Sequence, residues 1–142
     1  MVERILPDEA KKRLEGDAPP IYLDVRSTGE FEAGHVPGAY NIPLLHKTPM
    51  GMIPNQEFTE VVAKSLEKGQ PIICGCAAGA RSYRAAEHLT ELGYEDVVDM
   101  QAGFHGERDA YGMVVVEGWA ARGYPVATDA EPGRDYESLK NQ

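Results

Sequence analysis

Apolar and polar positions along the chain fall into short alternating blocks. "PIYLDV" (Pro20 to Val25), "PIIC" (Pro71 to Cys74) and "DVVDM" (Asp96 to Met100) are brief apolar runs bounded by proline, glycine or charge, the pattern of buried strands. Between them the period changes. Phe58, Val61, Val62 and Leu66 recur at helical spacing, as do Ala85, Ala86, Leu89 and Leu92, and the two sets are closed by Gly69 and Gly93. Asn55 stands where the first of these helices needs an N-cap. Pro7 to Leu14 is a polar stretch with proline at its first turn, which predicts a short helix ended by "EGDAPP". A brief strand is expected at Ala39 to Ile42, among the turn signals of "GHVPGAYNIP". Strands alternating with helices predict an α/β fold with a mostly parallel central sheet and helices on both faces.

Two segments lack a period. Leu44 to Pro54, "LLHKTPMGMIP", holds two prolines and a glycine and is expected to be a loop. After Pro125 the sequence "VATDAEPGRDYESLKNQ" loses apolar period and gains charge, so a loosely attached or disordered tail is expected. The domain is accordingly drawn at residues 1–127, with a polar C-terminal tail at 128–142.

A chain of 142 residues suits one domain with one active centre. Its net charge of -9 argues against nucleic-acid and anionic-membrane partners, since Lys11, Lys12 and Arg13 form the densest cationic run and acidic residues surround them. The first residues, "MVERILPDEAKKRL", lack the apolar core of a secretory signal, and no run approaches the ~20 apolar residues that span a bilayer. The expectation is a soluble, cytoplasmic protein. Cys74 and Cys76 flank a single glycine, and a disulfide between them would close a small strained ring. A free thiol with chemistry is the better reading.

Ligand sites of open α/β sheets gather beyond the carboxyl ends of the strands, which is where Cys76 falls. Its loop runs into a helix starting near Ser82, so the thiol faces unpaired backbone N–H groups and the positive end of the helix dipole. That setting stabilises a thiolate and cradles an anion. Gly79 supplies a conformation that a side chain would obstruct, Ala77, Ala78 and Ala80 leave the amides accessible, and Arg81 adds a permanent charge. These residues describe an activated nucleophile in an anion-binding cup. The bland alternative is a space-filling cysteine beside a turn glycine. Gly75 and Gly79 fit neither nucleotide-binding glycine motif.

The loop Cys76-Ala77-Ala78-Gly79-Ala80-Arg81, followed by Ser82, resembles the C-x-x-G-x-R active loop of the single-domain rhodaneses. "LDVRSTGEFEAGHVPGAYNIP" (Leu23 to Pro43), "ELGYEDVVDMQAGF" and the closing "GW" and "GYPV" resemble further landmarks of that family in the same order. The stretch from Phe104 to Gly118 is a longer element than the family's usual Gly-Gly to Trp spacing. The resemblance implies the rhodanese-like three-layer fold and a two-step sulfur transfer. The Cys76 thiolate takes a sulfane sulfur from thiosulfate or a persulfide, and the Cys76 persulfide passes it to cyanide, a thiol or a protein cysteine. No metal or organic cofactor is implied. Phosphatases that share this fold carry one more residue between Cys and Arg, so the four residues here read as a smaller, sulfur-sized pocket. The second hypothesis is a sulfur carrier or a rhodanese-like protein-binding module.

Among supporting residues, Asp24 matches a family aspartate that orders the active-site region, with a turn carboxylate as the plainer reading. Arg26 is expected to pair with Glu30 or Asp24 as a scaffold contact, or to help attract an anion. His35 and Asn41 fit positions that shape the loop between them. Alternation turns Cys74 to the side of Ile72, where it is read as buried and inert, or as a thiol resolving oxidised Cys76. His46, Lys47, Met50 and Met52 are candidates for the pocket mouth, and Trp119 for the core. One short cysteine pair with scattered histidines is weak metal evidence.

Overall fold

The computed structural model describes residues 2–142. Its first half runs β1 (Glu3–Ile5), α1 (Pro7–Leu14), β2 (Ile21–Asp24), α2 (Thr28–Ala33), β3 (Tyr40–Asn41), β4 (Leu45–Thr48), β5 (Gly51–Pro54) and α3 (Phe58–Ser65). Then follow β6 (Ile72–Gly75), α4 (Ala80–Glu91), β7 (Val97–Met100), β8 (Glu107–Arg108), β9 (Val114–Val116), a 3-10 turn at Ala120–Arg122 and α5 (Tyr136–Lys140).

Five strands form the central sheet in the order β1-β7-β6-β2-β3, and every pairing in it is parallel. Parallel crossovers need helices, which cover both faces and bury most of the middle strands. β6 has no residue left at the surface. Leu23 lies opposite Cys74, Cys74 opposite Asp99, and Asp99 opposite Arg4, so these four share one row. On that face Leu23 and Cys74 pack against Val61 and Val62 of α3, Ala85, Ala86 and Leu89 of α4, and Leu139 of α5. Tyr22, Ile73, Val98 and Met100 form the opposite face with Ala10 of α1, Phe31 of α2 and Trp119.

Two expectations are corrected. The segment 44–54 is a β-hairpin, with Leu45 opposite Pro54 and Thr48 opposite Gly51. Pro49 fits the second position of its turn, and Thr48 Oγ1 donates to Gly51 O at 2.7 Å and accepts from Met50 N at 3.2 Å. β5 is exposed throughout, and a strand without a buried face carries no period-2 signal.

The tail is the second correction. His35 and Ala127 exchange backbone hydrogen bonds of 2.9 Å, and Arg134 O accepts from Asn41 N at 2.9 Å. Asp135 caps α5, whose Tyr136 and Leu139 are buried in the core. Five residues with two apolar positions are too short to show a helical period, so composition misleads here. Leu139→Ala should destabilise the protein by about 2 kcal/mol, the low end for a buried leucine, in urea denaturation. An unchanged midpoint would return the tail to a loose appendage.

A smaller difference concerns Asn55. Its Oδ1 accepts from Glu57 N at 3.0 Å, but α3 begins at Phe58, so Asn55 forms the turn leading into the helix and does not cap it.

Candidate active site

β6 delivers Cys76 to the carboxyl edge of the sheet, and the chain turns at once into α4. Gly79 makes the turn in the left-handed region, with φ 108°. A residue with a Cβ is strained there. The turn points two backbone donors at the sulfur: Gly79 N lies 3.1 Å and Ser82 N 3.3 Å from Cys76 Sγ. Both belong to the start of α4, whose first N–H groups have no partners within the helix. The sulfur therefore sits where partial positive charge collects. Ala78 and Ala80 are exposed on the rim, and Cys76 itself is only 2% exposed.

The outer wall comes from the chain after β7. Phe104 N donates to Cys76 O and His105 N to Ala77 O, each at 2.8 Å. To bring both donors round, Ala102 and Gly103 take successive left-handed conformations, φ 72° and 59°. The His105 imidazole adds no cation, because burial and then the charge of Arg26 push its pKa down.

Arg81 is paired with a carboxylate. Its two terminal nitrogens donate to Glu30 Oε1 and Oε2 at 2.8 and 3.0 Å. Glu30 also closes a capping box with Ser27 at the start of α2. Burial works to raise the Glu30 pKa, but the Arg81 hydrogen bonds and charge, joined by Ser27, outweigh it and hold the carboxyl at about 2 against the usual 4.5. A carboxyl lowered on folding stabilises above its unfolded pKa and loses that contribution as pH falls through the folded one. Glu30→Gln should melt below wild type at neutral pH, with the gap closing between about pH 4.5 and 2. A gap independent of pH in thermal melts would show that the ion pair contributes nothing.

The rhodanese-like domain model matches residues 6–108, which is most of the chain. This chain belongs to the rhodanese-like family. It is 36% identical over 112 residues to thiosulfate sulfurtransferase 18 of Arabidopsis thaliana, covering 78% of this chain and 74% of the relative. Over 105 residues it is 35% identical to the chloroplastic thiosulfate sulfurtransferase 16 of the same plant, covering 74% and 78%. The crystal structure of Rv0390 from M. tuberculosis superposes with a TM-score of 0.74 at 27% identity, over 90% of this chain and 98% of that one. The three-layer α/β fold read from the sequence is the one observed.

Within this rhodanese-like domain the supporting residues form a scaffold. Arg26 pairs with Asp24 and not Glu30: Nη2 lies 2.8 Å from Asp24 Oδ2 and 2.7 Å from Gly34 O, and the guanidinium covers the Phe104 ring. At 1% exposure its charge is closed against Asp24, which favours the scaffold reading. Buried pairs of this kind add little net stability but are costly to break from one side. Asn41 Nδ2 donates to Asp24 O and Arg26 O, and His35 Nδ1 meets Phe31 O at 2.7 Å, so both brace the loop between them.

Cys74 is fully buried, and burial, then the charges of Asp99 and Cys76, raise its pKa well above the ordinary value. A thiol held protonated is a poor resolving nucleophile, so this burial favours the inert reading over the resolving one. Trp119 is core, with Nε1 donating to Pro125 O at 2.7 Å. His46, Lys47, Met50 and Met52 lie on the β4–β5 hairpin, where His46 neighbours Tyr136. Among the described residues no group of three or more His, Cys, Asp or Glu is placed to hold a metal, and no helix is long and apolar enough to cross a membrane. A cleft of about 260 Å³ between Pro20, Ile21, Pro37 and Tyr40 opens at the amino ends of β2 and β3, the far end of the sheet from Cys76.

Sequence reasoning missed Glu30 as the partner of Arg81, the wall donors of Phe104 and His105, and the ion pair in which Arg4 Nε lies 2.9 Å from Asp99 Oδ2. "QAGF" drew notice only as a family landmark. Nothing local marks Arg4 or Glu30.

Proposed function

We propose that the protein is a sulfurtransferase that carries a sulfane sulfur on Cys76 as a persulfide, without metal or organic cofactor. The observation that carries this reading is the Cys76 sulfur held by the N–H groups of Gly79 and Ser82 at the start of a helix. In the first step the Cys76 thiolate attacks the outer sulfur of thiosulfate. The sulfur–sulfur bond of the donor breaks, sulfite leaves with the electron pair, and Cys76 holds the persulfide anion. A low-molecular-weight persulfide donates in the same way, releasing a thiolate. In the second step cyanide, a thiol or a protein cysteine attacks the terminal sulfur, and the Cys76 thiolate leaves. The N–H groups of Gly79 and Ser82 face the atom to which negative charge returns as the Cys76 thiolate leaves, which lowers the barrier of the second step.

Only Ala77, Ala78, Gly79 and Ala80 separate Cys76 from Arg81, which keeps the cup small for a tetrahedral phosphate. We also propose a cytoplasmic location; relatives include a chloroplastic and a mitochondrial protein of Arabidopsis thaliana. The burial of Cys76 and the capture of Arg81 by Glu30 favour one second reading, a sulfur carrier fed by a protein partner. Slow turnover on thiosulfate with fast transfer to a protein thiol would select it.

The test is intact-protein mass spectrometry after brief exposure to thiosulfate or a small persulfide, followed by cyanide. One sulfur atom should be gained and then lost as thiocyanate. No gain from either donor would remove the small-donor enzyme from consideration.

A further inference from the structure

We infer that Arg4 is a positioning residue for the Cys76 cup, holding the Gly79 carbonyl from the edge strand β1 and balancing the charge of Asp99 beneath the loop. Arg4 lies outside residues 6–108, the part that the family model matches. This inference deepens the sulfurtransferase reading and rests on it only for the sulfur-loading measurement.

Register places the arginine. Arg4 is opposite Asp99 and Asp99 opposite Cys74, so its side chain emerges on the face that α4 covers. There Nε donates to Asp99 Oδ2 at 2.9 Å, Nη2 donates to Gly79 O at 3.2 Å, and the guanidinium stands 5.1 Å from the Tyr83 ring centroid. A planar fork serves two acceptors at fixed spacing, which an ammonium does not.

Gly79 is the residue whose N–H faces the sulfur, so Arg4 and Cys76 hold its two ends. The other donors to Gly79 O are Tyr83 N at 3.3 Å and Ser82 Oγ at 3.4 Å, each slightly longer than the Arg4 bond. A charge-assisted bond is the stronger restraint.

Asp99 is fully buried, and its Oδ1 has no hydrogen-bond partner among the described residues. Burial raises its pKa, while Ser82 and Arg4 work against that rise. The Ser82 hydroxyl has one proton and two claimants, Gly79 O and the Asp99 carboxyl. Without Arg4, the Ser82 hydroxyl turns its hydrogen bond from Gly79 O to the unbalanced carboxylate.

Few other charges compete around the sulfur. Tyr22 of β2 and Cys74 of β6 are held neutral by burial, and the His105 imidazole is pushed down. Asp24 with Arg26, and Glu30 with Arg81, close on one another. Asp99 is left to Arg4.

The experiment follows the rate of iodoacetamide alkylation of Cys76 against pH, with the adduct located by peptide mass spectrometry, alongside sulfur loading from thiosulfate. Arg4→Ala should raise the alkylation midpoint by about one pH unit and cut loading about tenfold at neutral pH. Arg4→Lys should restore most of the midpoint, since it still balances Asp99, but not the full loading rate. If Arg4→Ala does not fold, Arg4→Met keeps the apolar stem over Tyr83 and carries the same comparison. A folded variant with an unchanged midpoint and intact loading overturns this role alone. Alkylation needs no sulfur donor, so a shifted midpoint in a protein that never loads sulfur from thiosulfate supports the role of Arg4 and removes the thiosulfate-using enzyme.

Discussion

Cys76→Ser gains no sulfur from thiosulfate or a persulfide, and its turnover falls at least about 10³-fold, the scale expected when a covalent nucleophile is lost. A serine hydroxyl can still accept from Gly79 N and Ser82 N, so the loop keeps its shape. It does not ionise near neutral pH, and an oxygen in that place cannot form the persulfide. Chemistry and folding are thereby separated. Thermal stability should stay within about 1 kcal/mol of wild type, as for a near-isosteric change that keeps its partners. Cys74 is the one other thiol of the chain, and its burial and raised pKa make it a poor substitute. Sulfur appearing on Cys76→Ser would place the carrier at Cys74 and overturn the assignment.

Gly103→Ala has the second largest expected effect, and it acts without touching a reacting atom. A Cβ at residue 103 would lie 2.5 Å from Cys76 O and 2.7 Å from Ala77 C and O, all backbone atoms that cannot swing aside. The residue also holds φ 59°, where alanine is strained. Relief requires the outer wall to move off the cup, which lengthens the bonds from Phe104 N and His105 N to the active loop. A displacement approaching 1 Å at a positioned nucleophile is worth about 100-fold in rate. The expected result is about 100-fold slower sulfur loading with a stability loss of about 1–3 kcal/mol. Gly112→Ala is the control. Gly112 has φ 80° but nothing within 4 Å of an added Cβ, so it shares the backbone penalty and leaves the loop alone. Equal activity losses in both variants would show that the wall does not position Cys76.

How much was legible depends on distance along the chain. Cys76, Gly79 and Ser82 occupy one strand–loop–helix stretch, and their relation follows from local geometry that the residue types announce. Arg81 belongs to the same stretch, yet its use does not, because Glu30 lies 51 residues away. The Arg4–Asp99 bond joins residues 95 apart and is created by the register of β1 on β7. The hairpin at 45–54 and the helix at 136–140 escaped for another reason. The first buries no face and the second is one turn long, so neither writes a period into the sequence.

The sequence alone determined that strands alternate with helices, that a cysteine sits at a strand's carboxyl end before a helix, and that the loop there is small and glycine-hinged. Each is a matter of neighbouring residues and their local conformational preferences. The tertiary structure alone decided which charge serves which. It gave Arg81 to Glu30, sealed Arg26 against Asp24, and brought Arg4 from the edge strand to Gly79 and Asp99. An arginine's partner is chosen by the carboxylate or carbonyl that strand order and register bring within hydrogen-bonding reach, and order and register are properties of the assembled sheet.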